Sequence, residues 1–397
     1  MTPPHSSTTV GIVGGGPAGL MLSHLLARDG VDSVVIDDRT YADIAQTVRA
    51  GILEADSVAM LVDTGVSDRV LREGDEHAGI EIGVDGQRAR IDFADLVGSS
   101  VWLYPQTDVF IDLAAARERD GGDVRFGVTD AAIDGLTSEQ PVLRFTDADG
   151  VRHEIACQLI VGADGSRSMC RRQIPEAERT SYFREYPFAW FGILCDAPRS
   201  APELVYSHSD RGFALISQRT ETMQRMYFQC DPDTDPDAWS DDRIWAELQA
   251  RVNVNGLVLK EGPITSKAVL RFRSFVCEPM RYGRLLLVGD AAHTVPPTGA
   301  KGLNLALADV RVLAESIRDF LAHRSEHALA DFSAKALARV WKAQNFSYWM
   351  TSMLHTPVDA TGFDLRRQQA EIRAVIESRA GQSYLAEAYT GWPASGL

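Results

Sequence analysis

The first forty residues of the chain alternate between short apolar segments and a glycine-rich turn. Apolar residues 10–13 predict a strand, and the sequence GGGPAG follows at residues 14–19. Residues 20–26 then carry apolar side chains at helical spacing, and residues 34–36 form a second apolar segment that ends in Asp37. Two short apolar runs on either side of a helical stretch are typical of a β-α-β unit with parallel strands. We therefore expect the chain to begin with a Rossmann-like sheet.

The glycine spacing inside this unit matches the turn that binds a dinucleotide. Gly14 permits the tight turn, Gly16 lets a pyrophosphate approach the backbone, and Gly19 lets the helix pack closely against the strand. Asp37 stands at the end of the second strand, where an acid accepts hydrogen bonds from ribose hydroxyls. A glycine pattern alone is weak, but the flanking strands and the acid favour a dinucleotide site over an ordinary turn.

A second strand-to-helix turn lies further along the chain. Residues 285–288 are apolar, residues 289–304 have the sequence GDAAHTVPPTGAKGLN, and apolar side chains recur at helical spacing from 303 to 321. Asp290 leaves the predicted strand, two prolines stiffen the turn, and glycines lead into the N-terminus of the helix. Free backbone N–H groups at that end can bind an anion or contact an electron-rich ring. Taken alone, the segment would pass for an ordinary strand–loop–helix connection.

A third segment, residues 157–167, combines an apolar strand with an Asp164-Gly165 turn beside Arg167. The three segments in this order resemble the single-component, FAD-dependent aromatic hydroxylases. The resemblance implies that the first segment holds the ADP part of FAD. It implies that the Asp-Gly segment lies near FAD and the nicotinamide, and that residues 289–304 bind the ribitol and the flavin ring.

This resemblance also implies a fold and a division into domains. The expected class is α/β (α+β), with a Rossmann-like FAD-binding domain, a mixed-sheet substrate domain and C-terminal helices. We place the FAD-binding domain at residues 1–179 and 274–325, and the substrate-binding sheet at 180–273. Residues 326–397 are expected to form a helical interface region, with one helix around 326–355 and another around 363–388.

Composition narrows the class of partner. The net charge of −15 argues against nucleic acid or an anionic membrane as a partner. No apolar run approaches the ~20 residues of a membrane span, and the polar first nine residues show no signal peptide. The five cysteines and nine histidines show no metal-ligand spacing, so no metal is expected. We expect a cytoplasmic protein that forms a homodimer, as the resemblance implies.

The resemblance implies a reaction as well. Residues 203–227, 186–188, 273–275 and 349–355 are similar to family members that act on 4-hydroxybenzoate. The implied activity is hydroxylation of this acid to 3,4-dihydroxybenzoate, with FAD as cofactor, NADH or NADPH as reductant and O2 as co-substrate. Alternatives are a related ring acid, such as 4-aminobenzoate, 3-hydroxybenzoate or protocatechuate, and a non-catalytic carrier protein with an FAD fold.

A benzoate carboxylate needs a cationic partner when it is buried, because an unpaired buried charge is costly. Arg219 offers a planar guanidinium that can bind both carboxylate oxygens, and Ser217 and Tyr227 can donate further hydrogen bonds. The resemblance implies these roles. A structural ion pair of Arg219 within the sheet is the alternative.

Electrophilic hydroxylation beside a phenol is faster when the phenol has lost its proton, so a proton must leave a site that excludes water. The resemblance implies a chain of Tyr206, which would contact the substrate oxygen, Tyr389, and His77 as an outer end near the surface. The backbone carbonyl of Pro297 would contact the phenol, and Thr298 would form a wall of the site. Ordinary packing explains each tyrosine alone, and His77 alone would suit an exposed loop.

The resemblance assigns further residues to the cofactors. The predicted FAD-binding residues are Gly14, Gly16, Gly19, Asp37, Arg49, Gln106, Asp164, Arg225, Asp290, Gly299, Leu303 and Asn304. The charge of Arg225 should favour the reduced, anionic flavin.

The nicotinamide candidates are Asp38, Arg39, Arg167 and Arg273, because the chain has no second glycine motif for a separate nicotinamide domain. Asp38 and Asp43 should repel a 2′-phosphate, whereas Arg39 could attract it. We hypothesise a preference for NADH or a relaxed specificity.

Overall fold

The computed structural model describes residues 5–47, 51–252 and 256–392. The strands are β1 (His5–Val13), β2 (Ser33–Asp37), β3 (Ile52–Glu54), β4 (Asp75–His77), β5 (Gly79–Val84), β6 (Gln87–Asp92), β7 (Val101–Leu103), β8 (Asp123–Phe126), β9 (Thr129–Asp134), β10 (Val142–Thr146), β11 (Arg152–Gly162), β12 (Thr180–Cys195), β13 (Val205–Ser209), β14 (Gly212–Gln218), β15 (Gln224–Cys230), β16 (Ile264–Glu278), β17 (Arg281–Tyr282), β18 (Leu285–Leu287) and β19 (His293–Thr294). The helices are α1 (Pro17–Arg28), α2 (Tyr41–Ala45), α3 (Ala55–Asp63), α4 (Arg69–Glu73), α5 (Phe93–Val97), α6 (Gln106–Arg119), α7 (Met169–Arg172), α8 (Asp241–Val252), α9 (Gly302–His323), α10 (Glu326–Leu354), α11 (Gly362–Ile376) and α12 (Arg379–Thr390).

The first sheet contains the predicted β-α-β unit and has the strand order β17-β18-β11-β1-β2-β8. Strand β1 runs parallel to β2 and β11, β18 runs parallel to β11, and β10 and β9 extend β11 in antiparallel pairing. The carboxyl ends of parallel strands meet at one edge of a sheet, which is where ligands of open α/β sheets bind. The turns after β1, β11 and β18, which are the three predicted cofactor segments, therefore converge.

The second sheet has the order β19-β16-β12-β15-β14-β13-β5-β6. Its pairs are antiparallel except for β13 with β5, so the sheet is mixed. Strands β12 to β16 fall almost entirely within the segment predicted to form the substrate sheet. Strands β5, β6 and β19 come from the segments assigned to the FAD-binding domain. Strand β19 lies in the turn after β18, so the two sheets meet at that turn.

The C-terminal part of the described chain is helical, as predicted. A single helix was expected over 363–388, but the structure has α11 and α12 with a break at Glu377 and Ser378. The Ser378 hydroxyl accepts a hydrogen bond from the Gly381 amide and so starts a new helix. At Gly381 a side chain would lie 2.8 Å from the Cα of Val375, so only glycine permits this close turn.

These features confirm the expected fold class. The helix that follows β18 is α9, and three small strands (order β3-β7-β4) form a third sheet. No helix in the described ranges is both long enough and apolar enough to cross a bilayer.

Candidate active site

The N-terminal glycine turn has the geometry that the spacing predicts. Gly14 has φ +113°, and an added Cβ would lie 2.2 Å from the carbonyl oxygen of Ala163. A Cβ at Gly19 would lie 1.9 Å from the carbonyl oxygen of Gly14, so this glycine is required for close packing of α1 on the turn. A Cβ at Gly16 would meet no atom within 4 Å. Packing within the chain therefore explains the first and third glycines, and Gly16 leaves space beside the N-terminus of α1.

Asp37 is buried at the end of β2 and already has partners in the protein. Its Oδ2 accepts hydrogen bonds from the Gly15 amide at 2.7 Å and from Nη2 of Arg39 at 2.9 Å. Its Oδ1 accepts from the backbone amide of Arg39 at 2.9 Å and from its Nε at 3.0 Å. A ribose would have to share this carboxylate with Arg39. The neighbouring Asp38 is exposed.

The Asp-Gly segment is tied to the turn after β18 by Arg171. Asp164 caps α7 by accepting hydrogen bonds from the Ser168 hydroxyl and the Met169 amide, both at 2.6 Å. Arg171 donates to the carbonyl oxygen of Ser166 at 2.7 Å and to that of Ala291 at 2.6 Å.

Two of the three basic nicotinamide candidates border this segment. Arg273 donates to the Ser166 hydroxyl at 2.8 Å. Arg167 is exposed on the same turn. The structure therefore groups these two cations at one edge of the cofactor region.

Residues 289–304 form a turn that is fixed by contacts with other parts of the chain. Gly289 adopts the left-handed region with φ +59°, and its amide donates to Oδ2 of Asp309 at 2.9 Å. The short 3₁₀ turn Pro297–Gly299 follows, with its Pro297 carbonyl accepting the Ala300 amide at 3.0 Å. At Gly299 a Cβ would lie 3.0 Å from the Ser347 hydroxyl, so this glycine brings the turn close to α10.

The other predicted FAD residues lie along the same edge. The Asn304 side chain accepts the Glu54 amide at 2.9 Å and donates to the Ile52 carbonyl at 2.8 Å, which leaves its backbone for the predicted cofactor contact. Leu303 is half-buried in the first turn of α9, and Gln106 is half-buried in the first turn of α6. Arg49 lies outside the described residues.

Two buried tyrosines from distant parts of the chain share a hydrogen bond. The hydroxyls of Tyr206, on β13, and Tyr389, on α12, are 2.7 Å apart, and neither ring has more than 2% of its surface exposed. The Tyr206 hydroxyl also lies 3.4 Å from the carbonyl oxygen of Thr298. Burial raises the pKa of each tyrosine above its ordinary value, although for Tyr206 the hydrogen bond from Tyr389 opposes this effect. The pair is therefore neutral at physiological pH and adjoins the turn after β18.

The turn at Pro297 and Thr298 borders the tyrosine pair. The Tyr206 hydroxyl approaches the carbonyl of Thr298, and the carbonyl of Pro297 is the one that closes the 3₁₀ turn. The Thr298 side chain is fully buried, and its Oγ1 accepts a hydrogen bond from the Thr351 hydroxyl at 2.9 Å. The turn therefore lies beside the tyrosine pair, and the hydrogen bond from Thr351 to Thr298 holds it there.

His77 does not lie at the surface, which corrects the expectation for the outer end of the chain. It is 1% exposed on β4, the strand that pairs with β7 in the third sheet. Its Nε2 lies 3.0 Å from Oδ2 of Asp75, which in turn lies 3.0 Å from Nη1 of Arg199. Within the described ranges no hydrogen bond joins His77 to Tyr389, and His77 Nδ1 is buried without one. The half-buried Asp75 is therefore the group that reaches solvent.

The predicted carboxylate-binding residues lie at the end of the β14–β15 hairpin. Ser217 pairs with Arg225 across the two strands, and its hydroxyl donates to the Arg225 carbonyl at 2.9 Å. The Arg225 guanidinium lies 5.2 Å from the centre of the buried Tyr227 ring. Burial, followed by the nearby charge of Arg225, lowers the pKa of Arg219 to about 10. Two like charges thus share a poorly solvated corner, which favours binding of an anion.

Comparison with known proteins decides the family. A sequence profile described as "FAD binding domain" matches residues 7–347. The chain is 42% identical to p-hydroxybenzoate hydroxylase from Acinetobacter baylyi over 388 residues, which cover 97% of this chain and 96% of that enzyme. The chain belongs to the FAD-dependent aromatic hydroxylases.

More distant relatives agree with this assignment. The hydroxylase chain is 30% identical to 6-methylpretetramide 4-monooxygenase from Streptomyces rimosus, over 78% of this chain and 76% of that protein. Its fold is similar to the crystal structure of p-nitrophenol 4-monooxygenase from Pseudomonas putida DLL-E4, with a TM-score of 0.79. That match covers 98% of this chain and 99% of the other at 18% identity, so it supports the fold alone.

The residues of this aromatic hydroxylase fit FAD. Gly16 leaves open space where a phosphate group approaches the helix N-terminus, and α1 carries no acidic side chain in its first turn. The three cofactor segments are adjacent, because a Cβ at Gly289 would lie 3.7 Å from the Cβ of Ala18 in α1 and a Cβ at Gly14 would lie 2.2 Å from the carbonyl oxygen of Ala163. An extended dinucleotide can therefore follow one continuous edge of the first sheet.

The sequence analysis did not predict a buried ion cluster that includes Lys301 of residues 289–304, the predicted flavin turn of the hydroxylase. Lys301 donates to Oε1 of Glu54 at 2.7 Å and to the Tyr389 carbonyl at 2.8 Å, while Arg339 lies 3.4 Å from Oε2 of Glu54. Lys301 and Glu54 are almost fully buried. The only local signal was a lysine within a glycine-rich turn, since its acidic partner lies 247 residues away. The cluster connects the turn to the chain that carries Tyr389.

Proposed function

We propose that this hydroxylase converts 4-hydroxybenzoate to 3,4-dihydroxybenzoate with O2 and a reduced nicotinamide. The observation that carries the proposal is the buried Tyr206–Tyr389 pair, 2.7 Å apart and next to the flavin turn. A phenol-directed tyrosine pair suits a substrate that must lose a phenolic proton away from bulk water. The similar protein from Acinetobacter baylyi is a p-hydroxybenzoate hydroxylase, which supports the same substrate.

The tyrosine pair would move the phenolic proton. Because burial raises the pKa of both hydroxyls, each keeps its proton at neutral pH and passes one on only as it receives another. Tyr206 would accept the proton from the substrate and Tyr389 would carry it outward. His77 and Asp75, 3.0 Å apart, would then deliver it to solvent.

Arg219 would bind the substrate carboxylate. Its guanidinium is still protonated at neutral pH, and a carboxylate would relieve its repulsion by Arg225. Ser217 and Tyr227 would complete the carboxylate site through their hydroxyls, after Ser217 turns from the Arg225 carbonyl. Placing the carboxylate at Arg219 and the phenol at Tyr206 orients the ring between the hairpin and the flavin turn.

FAD, when bound, supplies the reduction of O2 and the transfer of one oxygen atom to the ring. The turn at Gly14, Gly16 and Gly19 would bind the pyrophosphate, and Asp37 the ribose. Asp164 and Asp290 would hold the middle of the cofactor. The backbone of Gly299, Leu303 and Asn304 would contact the flavin ring, with Gln106 and Arg49 at its edge. Arg225 would place a positive charge near the reduced flavin.

We expect NADH to serve at least as well as NADPH. Arg39 is the candidate that would attract a 2′-phosphate, but its guanidinium is already bound to both oxygens of Asp37. The exposed Asp38 and Asp43 would repel the phosphate. Arg167 and Arg273 remain for the pyrophosphate, which NADH and NADPH share. A KM for NADPH at least about tenfold below that for NADH would contradict this preference.

The protein is also proposed to form a homodimer in the cytoplasm. Trp341 and Tyr348 are exposed on one face of α10, and Tyr182 packs edge to face against Trp341 at 5.3 Å. Exposed aromatic groups of this kind suit a self-complementary interface with a second copy. Sedimentation velocity should show a dimer for the wild type and a monomer for Trp341→Glu. A monomeric wild type at micromolar concentration would exclude the dimer.

The central experiment measures reductant use and product together. Purified protein with bound flavin should oxidise NADH slowly alone and faster with 4-hydroxybenzoate, with 3,4-dihydroxybenzoate formed in proportion. 4-Aminobenzoate and 3-hydroxybenzoate, tested in parallel, should give less product. Faster oxidation with one of these acids, and none with 4-hydroxybenzoate, would assign the enzyme to that acid. Bound flavin without turnover for any of the acids would favour a carrier.

A further inference from the structure

The segment that follows β18, residues 289–294, is held at both ends by one carboxylate. Oδ2 of Asp309 accepts a hydrogen bond from the Gly289 amide at 2.9 Å and lies 2.6 Å from Nε2 of His293. Asp309 and His293 are each about 2% exposed, so water does not compete for these contacts. Asp290, the predicted ribitol ligand, lies between the two anchored residues.

The same segment is also held by a half-buried cation. Arg171 donates to the carbonyl oxygens of Ala291 and Ser166 at 2.6 and 2.7 Å. Its guanidinium also stacks over the Phe275 ring at 4.4 Å, and Phe275 pairs with Thr294 across β16 and β19. Arg171 thus joins the Asp-Gly segment to the segment that carries Asp290.

The charges of these groups support a fixed arrangement. Burial alone would lower the pKa of His293, but the charge and hydrogen bond of Asp309, with the charge of Asp290, raise it above its ordinary value. Asp309 thus favours the protonated, positively charged form of His293. A buried charge-assisted hydrogen bond of this kind is stronger than a neutral one and specifies one geometry.

We propose that Asp309, His293 and Arg171, here called the loop clamp, are positioning residues that set the affinity for FAD without contacting it. The loop clamp holds residues 289–294 in the conformation that presents Asp290 to the ribitol and aligns this segment with the Asp-Gly turn. A ligand binds more tightly to a site that is already ordered, because binding then does not have to supply the free energy of ordering that site. The inference rests on FAD binding by the family and is independent of which aromatic acid is hydroxylated.

The test compares FAD affinity with folding stability. In Asp309→Asn the carboxylate loses its charge while the side chain keeps its shape and an acceptor for the Gly289 amide. Titration of apoprotein with FAD, followed by flavin fluorescence, should give a dissociation constant raised about tenfold or more. Arg171→Lys keeps the charge but removes the fork that spans two carbonyls, and about a fivefold rise is expected.

The control changes a half-buried ion pair in another part of the fold. Glu247, on α8, accepts hydrogen bonds from Arg251 of the same helix and from Arg211 in the turn between β13 and β14, and α8 packs on these two strands. Glu247→Gln should lower the melting temperature of the apoprotein to a similar extent and leave the FAD dissociation constant unchanged within about twofold. A purely structural role for the loop clamp would produce the same pattern in Asp309→Asn.

The measured FAD dissociation constants either support or contradict the inference. A raised dissociation constant in Asp309→Asn and Arg171→Lys, with Glu247→Gln unchanged, supports the inference. FAD affinity within about twofold of wild type in both clamp variants overturns it. If Asp309→Asn cannot be recovered folded, Arg171→Lys decides in the same way. A wild type that binds FAD but hydroxylates no aromatic acid would overturn the proposed substrate and leave this inference standing.

Discussion

The predicted flavin turn (residues 289–304) and the predicted substrate hairpin (residues 217–227) differ in how their charged side chains are arranged. Around residues 289–304, Lys301 is bound to Glu54, and His293 is bound to Asp309. At residues 217–227, two arginines repel each other in a half-buried corner, and burial lowers the pKa of Arg219. The flavin turn is thus internally neutralised, whereas the substrate hairpin concentrates positive charge.

This difference distinguishes residues that stabilise the fold from residues that are proposed to bind the substrate. A buried group with a matched partner stabilises the fold, and removing one member leaves the other uncompensated. Burial and the charge of Arg225 both disfavour the charged form of Arg219, and an anionic ligand beside it would favour that form. Substitutions in the flavin turn should therefore lower stability, and substitutions in the hairpin should lower substrate binding instead.

The largest expected effect belongs to Lys301→Met. Glu54 would remain buried and lose its closest cation, so the free energy of unfolding should fall by about 3 to 5 kcal/mol. Chemical denaturation of the apoprotein measures this change. The exposed Lys335→Met on α10 is the control and should change stability by less than about 0.5 kcal/mol. A loss below about 1 kcal/mol for Lys301→Met would show that this buried ion pair contributes little to the stability of the fold.

Arg219→Gln should show the reverse pattern. The dissociation constant for 4-hydroxybenzoate should rise about 100-fold, because the substrate carboxylate loses its charged partner. The free energy of unfolding should stay within about 0.5 kcal/mol of wild type or increase. Equilibrium titration and denaturation measure the two quantities. Arg211→Gln, at an exposed ion pair with Glu247, is the matched control and should leave substrate binding unchanged. A strongly destabilised Arg219→Gln protein would instead indicate a structural ion pair.

Tyr206→Phe tests the contact between the two regions. The ratio of 3,4-dihydroxybenzoate formed to NADH oxidised should fall at least about tenfold, because the phenolic proton loses its acceptor. Flavin reduction should persist, with hydrogen peroxide as the other product. Tyr186→Phe is the control, since that hydroxyl lies 3.1 Å from Ser274 on the same sheet. Full coupling in Tyr206→Phe would exclude the tyrosine pair as the proton route.

The smallest effect is a pH dependence of the flavin turn. The pKa of His293 is raised in the folded protein, so its contribution to stability is complete below its ordinary value of 6.5 and is lost as pH rises through the folded value. The charged groups around it are Asp309, Asp290 and Arg171. The stability difference between wild type and His293→Gln should therefore be larger near about pH 6 than near about pH 9. An equal difference at both values would show that the His293 charge is unimportant.

Local patterns predicted the cofactor edge well because its requirements are local. Gly14 and Gly19 are needed for contacts within a few residues or across one strand pair, and such needs leave a fixed spacing in the sequence. Strand β18 and helix α9 were likewise predicted from apolar runs and helical spacing. The break between α11 and α12 was missed, because it depends on the close approach of Gly381 to α11.

The burial of His77 and the ion pair of Lys301 with Glu54 left no local pattern. His77 was expected near the surface, since its immediate neighbours in the sequence are polar or small. It is buried on β4, a strand that pairs with residues 101–103 of β7, so its surroundings come from a separate part of the sequence. Lys301 and Glu54 meet across 247 residues, so neither position reveals the other.

The sequence by itself determined the glycine turn, the order of the three cofactor segments and the family, because these depend on spacing along one chain. Tertiary structure decided which side chains meet: the Tyr206–Tyr389 hydrogen bond, the shared carboxylate of Asp309 and the repulsion between Arg219 and Arg225. Their physical basis is burial, which makes each hydrogen bond and each charge depend on neighbours that the fold brings from elsewhere in the chain.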